Sequence, residues 1–189
     1  MMGAGRVWLD KVDFEVVDSS VPLTEDTGPR VPFPEEPQNM HFAHNLAHWD
    51  LHGNFLQDYT CGIDTNTAVD GATSAYIKSS VPAPRGYGIL RQTLRSKRYH
   101  GHYVRLSCNI KMLAVENQGS LYIQLDGIGN NELREKTFQG TTNWSEQDVT
   151  LFVPDQTEGM IRFGIMLHGK GQIWLNNARF ELIEPNTLT

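Results

Sequence analysis

Gly169-Lys-Gly-Gln-Ile-Trp-Leu-Asn-Asn-Ala-Arg-Phe-Glu-Leu-Ile-Glu184 is the second appearance of a pattern that opens the chain as Gly3-Ala-Gly-Arg-Val-Trp-Leu-Asp-Lys-Val-Asp-Phe-Glu-Val-Val-Asp18. The copies share Gly3/Gly169, Gly5/Gly171, Trp8/Trp174, Leu9/Leu175, Phe14/Phe180 and Glu15/Glu181, with Val7/Ile173 a conservative match. A repeat decides how the rest of a chain is divided. Here it makes the opening segment a copy of the closing strand of a domain whose complete version follows. The expected division is a strand over 1–17, a linker over 18–38, one globular module over 39–184 and a tail over 185–189. The linker holds Pro22, Pro29, Pro32, Pro34 and Pro37, a density that favours extended, polyproline-like chain.

Within the module, period-two segments dominate. Residues 75–79, 87–94, 103–112, 120–126, 147–153, 160–168 and 172–182 each alternate apolar with polar side chains, the signature of half-buried antiparallel strands. In Val104-Arg-Leu-Ser-Cys-Asn-Ile-Lys-Met112 the apolar phase is Val104, Leu106, Cys108, Ile110 and Met112. Turn residues separate the segments at Asp70-Gly71, Pro82-Ala-Pro84, Asp126-Gly127, Gly129-Asn-Asn131, Pro154-Asp155 and Gly169-Lys-Gly171. Only Met40 to Leu51 reads as a short helical turn. Many short strands at regular spacing predict an all-β protein, an antiparallel β-sandwich of jelly-roll type.

Asn39-Met-His-Phe42, followed by Leu46-Ala-His-Trp49, resembles the opening of carbohydrate-binding-module-like jelly rolls. Asp70 to Tyr76, Gly140 to Trp144, Val149 to Pro154 and Phe163 to Trp174 also look like that galactose-binding-like group. The resemblance covers roughly Asn39 to Ile183. It implies a sugar-binding accessory module with ligand on an outer sheet face. It also implies a structural calcium ion held by an acidic residue after the opening Phe and an Asp in the closing strand. This chain has Ala43 and Asn176-Asn177 there, so the expectation is no cofactor. The weak alternative for calcium is Asp10 and Asp13 in the N-terminal copy.

Net charge is -6, from 16 Lys+Arg against 22 Asp+Glu, a balance that argues against a nucleic-acid partner. The basic run Arg91, Arg95, Lys97 and Arg98 reads as a solvated strand end. No apolar run approaches the roughly 18 residues of a membrane span, and no leader pattern is visible. Two cysteines, Cys61 and Cys108, favour a reduced, intracellular chain, with Cys108 as core filler; a disulfide between them needs a geometry that sequence does not supply.

His41, His44, His48 and His52 would share one face of a helix and could then hold a metal, but the segment reads as an irregular loop. No nucleophile elbow, zinc-protease motif or phosphate loop is present, so a non-enzyme is expected. If Leu121, Ile123 and Leu125 face the core, then Tyr122 and Gln124 face outward, as do Arg105 and Asn109 on their segment and His168 on its own. Tyr122, Gln124, Asn109, Arg105 and His168 are therefore the candidate ligand residues, with an aromatic ring for a pyranose and polar groups for its hydroxyls. Trp49, Trp144 and Trp174 read as packing residues. The alternative is an assembly module, in which the apolar strand 7–17 adds to a neighbouring sheet and self-associates.

Overall fold

The inward phase read from sequence is what the structure buries. Val104, Leu106, Ile110, Leu121, Ile123, Leu125, Ile161, Phe163, Ile165 and Leu167 are all sealed from solvent. The computed structural model describes residues 32–69, 73–127, 130–155 and 158–183, together with Asp10, Lys11, Asp13, Glu15 and Val16. Two compact units are present, Met1–Pro32 and Phe33–Thr189. The six described residues of the first unit, Pro32 among them, are exposed and none lies in a strand. The rest of the expected opening strand, Trp8 included, lies outside the described residues.

Among the described residues the second unit has eight strands, all antiparallel: β1 (Asp50–Gly53), β2 (Tyr59–Asp64), β3 (Ser74–Ser79), β4 (Tyr87–Arg95), β5 (His102–Gly127), β6 (Asn130–Val153), β7 (Gly159–His168) and β8 (Gln172–Ile183). The hairpin of β5 and β6 is long enough to serve both layers. Its outer half, Gly119–Gly127 against Asn130–Phe138, continues β1–β4–β7 into a first sheet ordered β1–β4–β7–β5–β6. Its other half, His102–Met112 against Thr142–Val153, belongs to a second sheet ordered β6–β5–β8–β3–β2. Register shifts between Ile110 and Gly119, with Ala114 at φ 49°, change the chain's direction between the halves; bulges bend strands in this way. The result is the β-sandwich that the alternation predicted.

Segment 103–112 and segment 120–126, two strands by sequence, are thus one continuous strand. β1, β2 and the first half of β6 are additions. The expected helical turn at 40–51 is not one, because Asn39, Phe42, Asn45 and His48 all have positive φ, between 49° and 69°. Asn39 organises that loop. Its Nδ2 donates to the Asn45 carbonyl (2.8 Å) and the Ala47 carbonyl (3.0 Å), and its Oδ1 accepts from the His44 amide (3.1 Å). The loop delivers Phe42 and Trp49 into the core, where rings run from Phe42 to Trp49 (5.3 Å between centroids), Phe163 (5.9 Å) and Phe180 (4.5 Å). Such pairs contribute about 0.5–1.5 kcal/mol each beyond their burial.

The compact unit starts at Phe33, earlier than the sequence boundary at 39. Pro34 accepts the Arg95 amide (2.9 Å), and the Gln38 amide donates to Gln92 Oε1 (3.0 Å), so residues 34–38 lie along β4. Cys61 and Cys108 are free thiols; burial pushes both above the ordinary thiol value.

Candidate functional site

Period two places Tyr87, Ile89, Arg91 and Thr93 of β4 opposite to buried Leu90 and Leu94, on the outer face of the first sheet. Register then fixes their neighbours. One row reads Ile89, Met166, Ser120, Thr137; the next reads Arg91, Gly164, Tyr122, Glu135; a third reads Thr93, Arg162, Gln124, Leu133. His52 and Asp50 of β1 sit beside Ile89 and Arg91. A cleft of about 170 Å³ opens here, lined by Tyr87, Ile89, Tyr122, Gln124, Leu133 and Met166.

The approach to β4 is clamped. Asn54 Oδ1 accepts the Tyr87 amide (2.9 Å). Asp58 pairs with Arg85 (3.0 Å), and hydrogen bonds from Arg85 hold its carboxyl below the usual carboxylate range. Tyr87 is thereby fixed at the mouth of the cleft. Gly164 has φ 154°, and a Cβ there would stand 2.1 Å from the Leu90 carbonyl oxygen. Only glycine fits, and its row is therefore bare between Arg91 and Tyr122.

Tyr122 is 4% exposed, yet among the described residues its hydroxyl has no hydrogen-bond partner, and the Nε of Arg91 is likewise buried without one. Burial raises the Tyr122 phenol, opposed by the guanidinium groups of Arg91 and Arg162, so the hydroxyl stays a neutral donor. Partial desolvation, reinforced by Arg91 and Arg162, lowers His52 below its ordinary imidazole value. Arg162 is paired with Asp126. Gln118 Nε2 donates to Ser120 Oγ (3.0 Å) and, at 3.5 Å, to Glu135. An apolar lining with a few converging polar groups is the ordinary chemistry of a small-ligand site.

The five sequence candidates do not form one site. Tyr122 and Gln124 line the cleft, and His168 is exposed on the same face, beside Tyr87 in register. Arg105 and Asn109 belong to the other half of β5, on the outer face of the second sheet. There Arg105 pairs with Glu181 (2.8 Å), and Asn177 Nδ2 donates to Asn109 Oδ1 (3.3 Å). Alternation shows which residues share a strand face; the bend inside β5 decides which sheet they join. Tyr87, Ile89, Leu133 and Met166 complete the cleft. The apolar phase opposite Leu90 and Leu94 was the signal available for the first two.

Among the described residues three recesses are larger; one of about 320 Å³ has Met40, Arg98, Tyr99 and Phe180 in its walls, and two lack any Trp, Tyr or Phe. One, about 510 Å³, lies around Arg95, Lys97, His100 and Glu158; the other, about 380 Å³, lies among Arg105, Glu146, Asp148, Arg179 and Glu181. The basic run is divided accordingly, with Arg91 on the cleft face and Arg98 paired with Glu36 (2.8 Å). Among the described residues no three His, Cys, Asp or Glu side chains converge where a metal could be held. His41, His44 and His48 are exposed on the loop and do not share a helical face. At the closing-strand position, Asn176 Nδ2 donates to the Thr73 carbonyl (2.7 Å), and Asn177 adopts φ 50°, a conformation that asparagine tolerates.

The family-4, family-16 and family-22 carbohydrate-binding modules superpose on this chain with TM-scores of 0.51 to 0.55. At 12–15% identity, the chain shares the β-sandwich fold of those modules. A family-61 module solved with β-1,4-galactotriose matches at TM-score 0.54 and 14% identity, over 77% of this chain and 97% of its own. The enzymatically active domain of tailspike protein 4 from bacteriophage CBA120 matches at TM-score 0.63 and 16% identity, over 78% of this chain and 21% of its own. By sequence, the HTH-type transcriptional regulator YbfP of Bacillus subtilis (strain 168) is 28% identical over 160 residues, 82% of this chain. The chain spans about half (54%) of that regulator's length. No family model matches the chain.

Proposed function

We propose that this chain is a non-catalytic carbohydrate-binding module whose sugar lies on the outer face of the first sheet, over Tyr122. One observation carries the reading: a buried aromatic ring floors a cleft with its hydroxyl left without a partner. Leaving a buried hydroxyl unpaired costs about 1–3 kcal/mol, so a ligand oxygen that completes it gains by that amount. Tyr87 at the mouth adds a second ring, and Gln124 an amide for sugar hydroxyls. The fold shared with sugar-binding modules supports the same reading.

Isothermal titration against a panel of neutral and acidic oligosaccharides, with Tyr122→Ala as control, tests it. Saturable binding lost in the variant is expected. No binding across the panel, or binding indifferent to Tyr122, overturns it.

The similarity to YbfP favours a second, compatible reading, in which the module is the sugar-sensing part of a regulator. A sugar that binds this chain should then bind the matching segment of the Bacillus protein and change that protein's affinity for its own promoter DNA in a gel-shift assay. An unchanged shift at saturating sugar excludes the role.

A further inference from the structure

The cationic side chains of this unit are mostly spoken for. Arg85, Arg98, Arg105, Arg134, Arg162 and Arg179 each hold a carboxylate. Arg91 holds none among the described residues, and its Nε is buried without any acceptor. It stands on a central strand of the first sheet, between β1 and β7. Across the bare Gly164, in the same row, stands Tyr122, whose hydroxyl is also buried and unpartnered. Two strong donors therefore flank one position where no side chain projects.

A guanidinium presents donors in a rigid planar fork that matches a carboxylate, and charge-assisted bonds of this kind are about twice as strong as neutral ones. A neutral sugar hydroxyl could satisfy Tyr122 but would leave the Arg91 charge uncompensated in a partly desolvated place. Among the described residues no carboxylate of this face pairs with Arg91, although Asp50 on β1 is its direct partner in the register. Asp126 is taken by Arg162, while Asp50 and Glu135 are exposed on the edge strands β1 and β6. His52, opposite Ile89 on β1, is held below its ordinary imidazole value by partial desolvation and by Arg91 and Arg162. Glu135 lies next to Tyr122 in register and accepts from Gln118.

We propose that the sugar bound on this face is an acidic one, a uronic-acid oligosaccharide whose carboxylate sits over Gly164 and accepts from Arg91 and the Tyr122 hydroxyl. The inference rests on the carbohydrate-binding reading above and narrows it to a ligand class. It also explains why the cleft itself is small and mostly apolar. The pyranose ring occupies the space between Tyr87 and Leu133, and its acidic substituent lies outside, toward Arg91.

The test compares oligogalacturonate, oligomannuronate and glucuronic-acid-substituted xylo-oligosaccharide with their methyl esters, by titration calorimetry on the full chain. Neutral β-1,4-galactotriose and a sulfated galacto-oligosaccharide complete the panel. At least one uronate is expected to bind about ten-fold or more tightly than its own ester. Arg91→Gln should abolish that difference. Arg91→Lys, which keeps the charge but not the fork, should retain part of it, and Arg105→Gln on the second sheet should change nothing.

Equal affinity for acid and ester, or discrimination that survives Arg91→Gln, overturns the inference while sugar binding stands. A sulfated sugar bound as tightly as any uronate overturns the carboxylate assignment. Absence of binding to every oligosaccharide overturns both readings together.

Discussion

The two outer faces of the sandwich use similar residue types in opposite ways. On the second sheet, Arg105 is paired with Glu181 and Arg179 with Glu146 (2.5 Å). Trp174 covers the sheet with its Nε1 donating to Asp64 (2.9 Å). On the first sheet, the Nε of Arg91 and the hydroxyl of Tyr122 are buried with no partner among the described residues. A face whose charges complete one another is finished at folding, whereas one that keeps polar groups dry and unpaired needs something from outside. The second face has its own smaller exceptions in Ser107 Oγ and Asn176 Oδ1, both neutral and neither beside an aromatic cleft.

This contrast is easiest to break at Tyr122. Tyr122→Ala should weaken oligosaccharide binding about thirty-fold or more in calorimetry, a loss of about 2 kcal/mol. Binding that persists would move the ligand site to another face.

The second face should respond through stability and not through binding. Asp64→Ala leaves Trp174 Nε1 and the amides of Asn66 and Thr67 without their acceptor. Urea unfolding should show a loss of about 1–3 kcal/mol, with sugar affinity unchanged. Desolvation works against ionisation of Asp64, but the hydrogen bonds from Trp174, Asn66 and Thr67 outweigh it and hold the carboxyl below its ordinary value. A carboxyl depressed on folding contributes stability above its unfolded pKa, and loses it as pH falls through the folded one. The wild type should therefore lose more stability than Asp64→Ala below about pH 4.

Tyr122→Phe separates ring from hydroxyl. It removes a buried unpaired group, so stability should hold or rise slightly, while binding weakens by about 0.5–1.5 kcal/mol. Smallest of all, Arg105→Ala should cost about 0–1 kcal/mol of stability, since its ion pair is substantially exposed, and leave binding intact.

Why the sequence shows one face better than the other follows from particular strands. The inward phases of 103–112, 120–126 and 160–168 were legible because each is apolar on one phase and mostly polar on the other. The opening loop was legible as packing around Phe42 and Trp49, though its positive-φ residues were not, because no periodicity encodes them. The first half of β6 was invisible to pattern reading. Every residue from Leu133 to Thr137 is exposed, so no side of that strand selects apolar residues. The candidate site suffered from the bend inside β5. Tyr122 and Arg105 lie on one strand, but the register shifts between Ile110 and Gly119 send them to different sheets. Arg91, read as part of a solvated basic strand end, stands instead beside the bare glycine at 164.

The strand hardest to see from its pattern also has a protective duty. β6 pairs only with β5 among the described strands, which leaves the backbone donors and acceptors of every second residue along its twenty-four-residue length pointing to its open side. Such an edge is a template on which further chains can stack into fibrils. Glu132, Arg134, Glu135 and Lys136 make that stacking costly, because each added strand would have to strip water from their charges. The charged run of β6, uninformative for the core, raises the cost of polymerising along the exposed ladder.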